Sequence, residues 1–174
     1  MRVNEGHPEW MVFDSMLIRE NEGNVRRGGY TLIVDKLWRA LELRLMMEEA
    51  PGQMEALHLL ASGDGTWTDV NGKRIPELNG CVDVDIQWSP LTNTLPIHRL
   101  HLQPGEEREI RVAYVSLPDL NVQTVAQRYL AINEHQIRYT SLSSGFQAEL
   151  TIDDEGFVVD YSGRFRRHWP TLPR

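Results

Sequence analysis

The chain predicts an all-β domain, mainly antiparallel, whose sheet is rolled or barrel-like and which holds one short helix near residues 94–102. Three observations carry this. Apolar and polar residues alternate with period two through many short runs, as in Phe146, Ala148, Leu150 and Ile152 against Gln147, Glu149 and Thr151. Turn signals such as Asn71-Gly72, Pro104-Gly105 and Asp153-Asp154-Glu155-Gly156 separate those runs at short intervals. A single stretch, Thr94–Leu102, has the character of a helix, and many strands with one helix favour a closed or rolled sheet.

In chain order, Trp10–Ile18 and Tyr30–Val34 read as strands, bounded by Glu20-Asn21-Glu22-Gly23-Asn24 and Gly28-Gly29. Lys36–Glu49 is built from good helix formers. Yet Leu37, Leu41, Leu43, Leu45 and Met47 all fall at odd positions, with Glu42, Arg44 and Glu48 opposite, so the period predicts a strand. Pro51-Gly52 turns into a strand at Glu55–Leu60. Asn71-Gly72 predicts a type I′ hairpin between Thr66–Val70 and Lys73–Ile75. Pro104-Gly105 leads into Arg108–Ser116, and Asn133-Glu134 joins Arg128–Ile132 to Gln136–Leu142. Ser143-Ser144-Gly145 leads into Phe146–Ile152, and Asp153–Gly156 into Phe157–Tyr161. Ser162-Gly163 opens a last strand at Arg164–Trp169. In the helix, Thr94 is the expected cap and Pro96 sits in the first turn, where its missing N–H does no harm.

Length and charge bound the function. The 174 residues suit a single domain over 1–174 with a core of its own. The chain has 18 Lys+Arg against 25 Asp+Glu, a formal charge of −7. Nucleic acid and a resident anionic membrane surface both call for a basic footprint, so neither is an expected partner. Cys81 is the single cysteine, which excludes an intrachain disulfide and fits a reducing compartment. Met1–Trp10 lacks the apolar core of a secretory signal, and Met1 reads as a native start. No run approaches the ~18–20 apolar residues of a membrane span, so no stable membrane insertion is expected. The expected location is cytoplasmic.

Gly80–Leu102 stands apart. Val82, Val84, Ile86 and Trp88 share one face of a strand, with Asp83, Asp85 and Gln87 on the other. After Ser89-Pro90, apolar Leu95, Pro96, Ile97, Leu100 and Leu102 surround Asn93-Thr94 and His98-Arg99. Such a segment passes inside a structure with its polar atoms satisfied. The run Asp83-Val84-Asp85, then Ser89-Pro90 and Asn93-Thr94-Leu95-Pro96-Ile97-His98-Arg99-Leu100, resembles the signature of the putative glycolipid-binding family, formerly a bacterial domain of unknown function. Asp35-Lys36-Leu37-Trp38-Arg39, Gly63-Asp64-Gly65-Thr66-Trp67, Leu117-Pro118-Asp119-Leu120 and Gln127-Arg128-Tyr129 match it in the same order. His98 departs from the pattern, standing where the family often has arginine. The resemblance implies a long antiparallel sheet spiralling around a helix, a homodimer, and an amphipathic ligand, a glycolipid foremost.

Each candidate residue has two readings. Asp83 and Asp85 share a strand face and could hold a metal or do acid–base work on a glycoside; the plainer reading is a solvated face or partners for arginines. His98 and His101 are helix neighbours, but no metal-binding spacing supports them. Cys81 reads as a buried small hydrophobe rather than a nucleophile. Arg99 offers a planar fork and Asn93 an amide, suited to a polar head group, or to backbone ends and Asp83 or Asp85. The tryptophans Trp10, Trp38, Trp67, Trp88 and Trp169 suit a lipid-tail lining or, for most of them, the core. Ser89 and Ser116 lack a nucleophile-elbow context, and Gly63-x-Gly65 is a turn rather than a phosphate loop. Arg164, Arg166, Arg167 and His168 read as a solvated basic face.

The leading expectation is a non-catalytic binder or carrier whose ligand-binding residues are Asn93, Thr94, His98, Arg99, Asp83, Asp85 and Trp88. It assigns no catalytic residue, metal or cofactor. The alternatives are an enzyme acting on a lipid-linked or sugar substrate through Asp83 or Asp85, and a structural dimer module without a ligand. A carrier predicts a cavity, an enzyme converging carboxylates, and a structural plug neither.

Overall fold

Alternation in the sequence becomes strand almost wherever it occurs in the computed structural model, which describes the backbone of residues 2–7, 9–50 and 52–168 and the side chains of 9–20, 22–48 and 52–168. Met1, Pro51 and Trp169 lie outside the described residues. The first sheet runs β1 (Arg2–His7), β2 (Trp10–Asn21), β3 (Asn24–Asp35), β4 (Ala40–Ala50), β5 (Gln53–Ala61) and β6 (Trp67–Asp69), each paired antiparallel to the next. Then come β7 (Asp83–Ile86), the helix α1 (Leu91–Leu100) and β8 (Glu107–Val115). They are followed by β9 (Val122–Asn133), β10 (Gln136–Ser141), β11 (Gln147–Ile152), β12 (Val158–Tyr161) and β13 (Phe165–Arg166). The second sheet has the order β13-β12-β11-β10-β9-β8-β7, and its β7–β8 pair is parallel. The fold is all-β, mostly antiparallel and curled, with one short α-helix among the described residues.

The Lys36–Glu49 segment is a strand from Ala40 onward, with Leu43, Leu45 and Met47 buried. Its first residues are instead a turn. Asp35 Oδ1 accepts the N–H groups of Leu37 and Arg39, both at 2.9 Å, and Trp38 adopts φ +63°. Leu37 is therefore exposed rather than on the inward face.

The Asn71-Gly72 hairpin differs from its expectation. A type I′ turn needs positive φ at both central residues, and of this pair Gly72 alone has it, at +78°. Asp69 Oδ1 accepts the N–H groups of Asn71 and Lys73, each at 2.9 Å, and a single bridge pairs Thr68 with Arg74. The two arms are still joined by backbone bonds, Asp69 N–H to the Lys73 carbonyl and Ile75 N–H to the Trp67 carbonyl, each at 2.9 Å, while the Asp69 side chain closes the turn between them.

The helix begins three residues ahead of its expected start, at Leu91 instead of Thr94. Pro90 occupies the cap position without a side-chain cap. Thr92 ties this end instead, donating to the Ser89 carbonyl (2.9 Å) and accepting from the Ile86 N–H (3.1 Å). Thr94 is fully buried and accepts from the Val158 N–H at 3.3 Å. Pro96 thus lies within the helix, where it removes the bond to the Thr92 carbonyl. His101 closes the helix at φ +46°.

This placement makes α1 the centre of the packing. Leu95 joins a core of Phe13, Leu32, Leu43 and Trp67 from the first sheet with Val84 and Ile86 of β7. Ile97 and Leu100 pack on a second core of Tyr129, Tyr139, Leu150 and Tyr161. Trp67 alone of the described tryptophans is fully buried, and Trp10 is 45 % exposed.

A candidate ligand-binding cavity

A parallel strand covered on both faces can carry polar side chains only if partners wait for them. All of β7 is buried, so Asp83 and Asp85 are not on a solvated face. They share a side of the strand and meet different partners. Asp83 is gripped by Arg99 in the last turns of α1, Nε to Oδ1 at 3.1 Å and Nη2 to Oδ2 at 2.5 Å. Burial raises the Asp83 pKa, and the hydrogen bond and charge of Arg99 oppose that rise.

Among the described residues no cation forms an ion pair with Asp85, although Arg164 lines the same cavity. Asp85 Oδ2 accepts from Gln127 Nε2 at 2.6 Å, and its Oδ1 lies 3.2 Å from the Thr92 hydroxyl, whose one proton it shares with the Ser89 carbonyl. Gln127 Oε1 accepts from the Tyr129 hydroxyl (3.1 Å), which also reaches Asn93 Oδ1 (3.0 Å). Strand β7, helix α1 and strand β9 are thus joined through one buried polar chain. Burial pushes the Asp85 carboxyl above its ordinary value, and the two hydrogen bonds only partly restrain it. Tyr129, Tyr139 and Tyr161 are also raised, first by burial and then by the nearby Asp85 charge.

The raised value fixes a sign. A native state that holds a proton more tightly than the unfolded chain has that stability in full below the unfolded carboxyl range, and loses it as pH rises through the raised value. Asp85→Asn is expected to flatten this slope and to be no less stable than wild type at neutral pH. Urea unfolding of both proteins between about pH 4 and 8 checks it, and superimposable slopes contradict it.

Asp85 and Asn93 stand on the wall of a cavity of about 420 Å³ with Tyr114, Tyr139, Tyr161 and Phe146. Two cavities of about 660 Å³ each adjoin it. One is predominantly apolar, with Met16, Leu17, Trp88, Leu91, Phe157 and Val158 among its walls. The other holds Ile18, Arg19 and Arg164. Phe165 lines all three; Tyr161 and Ser89 are shared with the apolar one.

The expected site residues are therefore divided. Asp85 and Asn93 face the polar cavity, and Trp88 faces the adjoining grooves. Asp83 and Arg99 satisfy each other behind it, and Thr94 serves the β12 backbone. His98 lies in a separate cavity, its ring stacked on Trp38 at 3.7 Å, with burial lowering its pKa. Among the described residues no three His, Cys, Asp or Glu side chains cluster as metal ligands, and no helix is long and apolar enough to cross a membrane. Cys81 is buried, which raises its thiol pKa.

Sequence reasoning missed Gln127, Tyr114, Tyr139 and Tyr161 as site residues. Parity offered a signal for one of them: Gln127 takes an inward position on β9, where a polar side chain needs a partner.

Fold and site together define an all-β roll whose central helix and tyrosine-lined polar cavity lie beside an apolar groove. The chain belongs to the family described as "Putative glycolipid-binding", whose profile matches residues 1–167. It is similar to the crystal structure of a DUF1089 family protein from Pseudomonas aeruginosa, with 34 % identity and a TM-score of 0.84, over 96 % of this chain and 90 % of that one. No curated protein matches the chain.

Proposed function

We propose that the protein is a non-catalytic binder or carrier of an amphipathic ligand, a glycolipid foremost. The observation that carries this reading is the shared wall at Phe165 between a polar cavity and an apolar groove. Both volumes fall within the roughly 300–1,000 Å³ of small-molecule sites. Tyrosine rings and hydroxyls, an amide and a carboxyl suit sugar hydroxyls. The groove supplies apolar burial at about 25 cal/mol per Å², less the cost of ordering the ligand. The family description supports the same chemistry.

Dodecyl maltoside below its micelle concentration is the test ligand, with maltose as the tail-less control. It is expected to bind well over tenfold more tightly than maltose, and Phe165→Ala to weaken it about tenfold, near 1.4 kcal/mol. Calorimetry reads both. A wild-type protein that binds neither, or a Phe165→Ala protein that binds equally well, contradicts the reading. The homodimer and cytoplasmic location implied earlier remain part of this proposal; a monomer mass on sedimentation would remove the first.

One observation favours a second reading, an enzyme on a lipid-linked or sugar substrate. Asp85 is a cavity-wall carboxyl with a raised pKa, as a general acid requires. Asp83 does not join it, being held by Arg99. Turnover of aryl glycosides that Asp85→Asn abolishes would establish this reading.

A further inference from the structure

We propose that the cavity between Arg19 and Arg164 is an anion subsite that takes a phosphate group, monoester or diester, borne by the ligand. This rests on the amphipathic-ligand reading and adds a charge to the head. Arg19 comes from β2 and Arg164 from the turn between β12 and β13, and both line the same cavity with Gln87, Trp88 and Phe165. Among the described residues that wall carries no acidic side chain; Arg164 also borders the polar cavity in which Asp85 lies.

Charge pairing makes the arrangement unusual for a chain of net −7. The nearby Arg166 and Arg167 are each paired at 2.7 Å, with Asp160 and Asp153. Among the described residues, neither Arg19 nor Arg164 has a carboxylate within ion-pair distance. Each guanidinium instead lies over a ring: Arg19 at 5.1 Å from the Trp88 centroid, Arg164 at 4.2 Å from that of Phe146. Stacking holds the plane of the fork and leaves its edge donors for an anion. The Trp88 indole N–H beside them is buried without a hydrogen-bond partner among the described residues.

The geometry favours phosphate over carboxylate. One guanidinium fork satisfies both oxygens of a carboxylate. A phosphate group presents several oxygen edges, so forks from two elements can engage it together.

Calorimetry on the full chain tests this with dodecyl phosphate, dodecyl maltoside and inorganic phosphate, the amphiphiles below their micelle concentrations. Wild type is compared with Arg19→Gln/Arg164→Gln, and with Arg128→Gln/Arg138→Gln, two exposed arginines away from the cavity, as a control of the same net charge. The double variant is expected to lose at least about tenfold in affinity for dodecyl phosphate while holding dodecyl maltoside within about twofold. Salt should weaken the wild-type phosphate complex and leave the maltoside complex unchanged. Equal losses for both amphiphiles, no loss, or the same loss in the Arg128→Gln/Arg138→Gln control would overturn the subsite. If neither amphiphile binds wild type, the amphipathic reading fails by itself. Inorganic phosphate then decides: binding abolished in the double variant supports a site for a free anion, and no binding overturns the site.

Discussion

Arg99→Ala is expected to lower the unfolding free energy by about 3–5 kcal/mol, the range for removing one member of a buried ion pair. Asp83 has no exposed surface, and the Arg99 fork is its hydrogen-bonding partner on both oxygens. Without that fork the carboxylate stays desolvated with its charge unbalanced. The loss should shrink as pH falls and Asp83 takes up a proton. Asp83→Asn/Arg99→Ala should recover much of the stability, since the charge is gone. Urea unfolding of the single and double variants measures this. A change below about 1 kcal/mol in Arg99→Ala would place the pair with weak surface bridges. The pair fastens α1 to β7, and Asn93 and Asp85 reach the cavity from those same two elements.

Trp67→Ala is expected to cost about 3–5 kcal/mol, the scale for truncating a buried aromatic side chain. Trp67 is fully buried in the first core, and its indole N–H donates to the Cys81 carbonyl at 2.7 Å. That bond joins β6 to the segment entering β7. The chain crosses itself beside it: the Gly80 N–H donates to the Gly65 carbonyl at 2.9 Å, and a Cβ on Gly65 would lie 2.8 Å from the Gly80 Cα. With the backbones this close, the void has little room to collapse. Trp67→Phe should cost less, keeping most of the apolar volume and losing the hydrogen bond. Equal stability of Trp67→Ala and wild type would contradict this account of the seam.

The strands were legible because parity survives in them. In β11, Ala148 and Leu150 are buried while Gln147 and Glu149 are exposed, as the alternation requires. Parity also outweighed helix propensity in β4. It faltered where polar residues turn inward: β9 begins at Val122, ahead of the expected Arg128, and Gln127 interrupts the apolar run. The true start of α1 was hidden for a related reason, since Thr92 bonds to Ser89 and Ile86 rather than following a capping pattern. Asp83 and Asp85 could be placed on one face, but the groups that meet them there come from Arg99 and Thr92 of α1 and Gln127 of β9, which no local pattern brings to that face. The cavity was the least legible feature. Its walls come from β7, α1, β8, β9, β10, β12, β13 and the turns between them, which no local pattern joins. Arg164 looked like part of a solvated basic run, and only the fold separates it from the paired Arg166 and Arg167.

Native mass spectrometry of the protein purified from its native host, followed by solvent extraction, tests the central claim most directly. The account predicts a stoichiometric amphiphile that survives transfer to the gas phase, carries a polar head and an acyl or prenyl tail, and is depleted in Phe165→Ala. A chain that flies empty and also ignores dodecyl maltoside and dodecyl phosphate would contradict it.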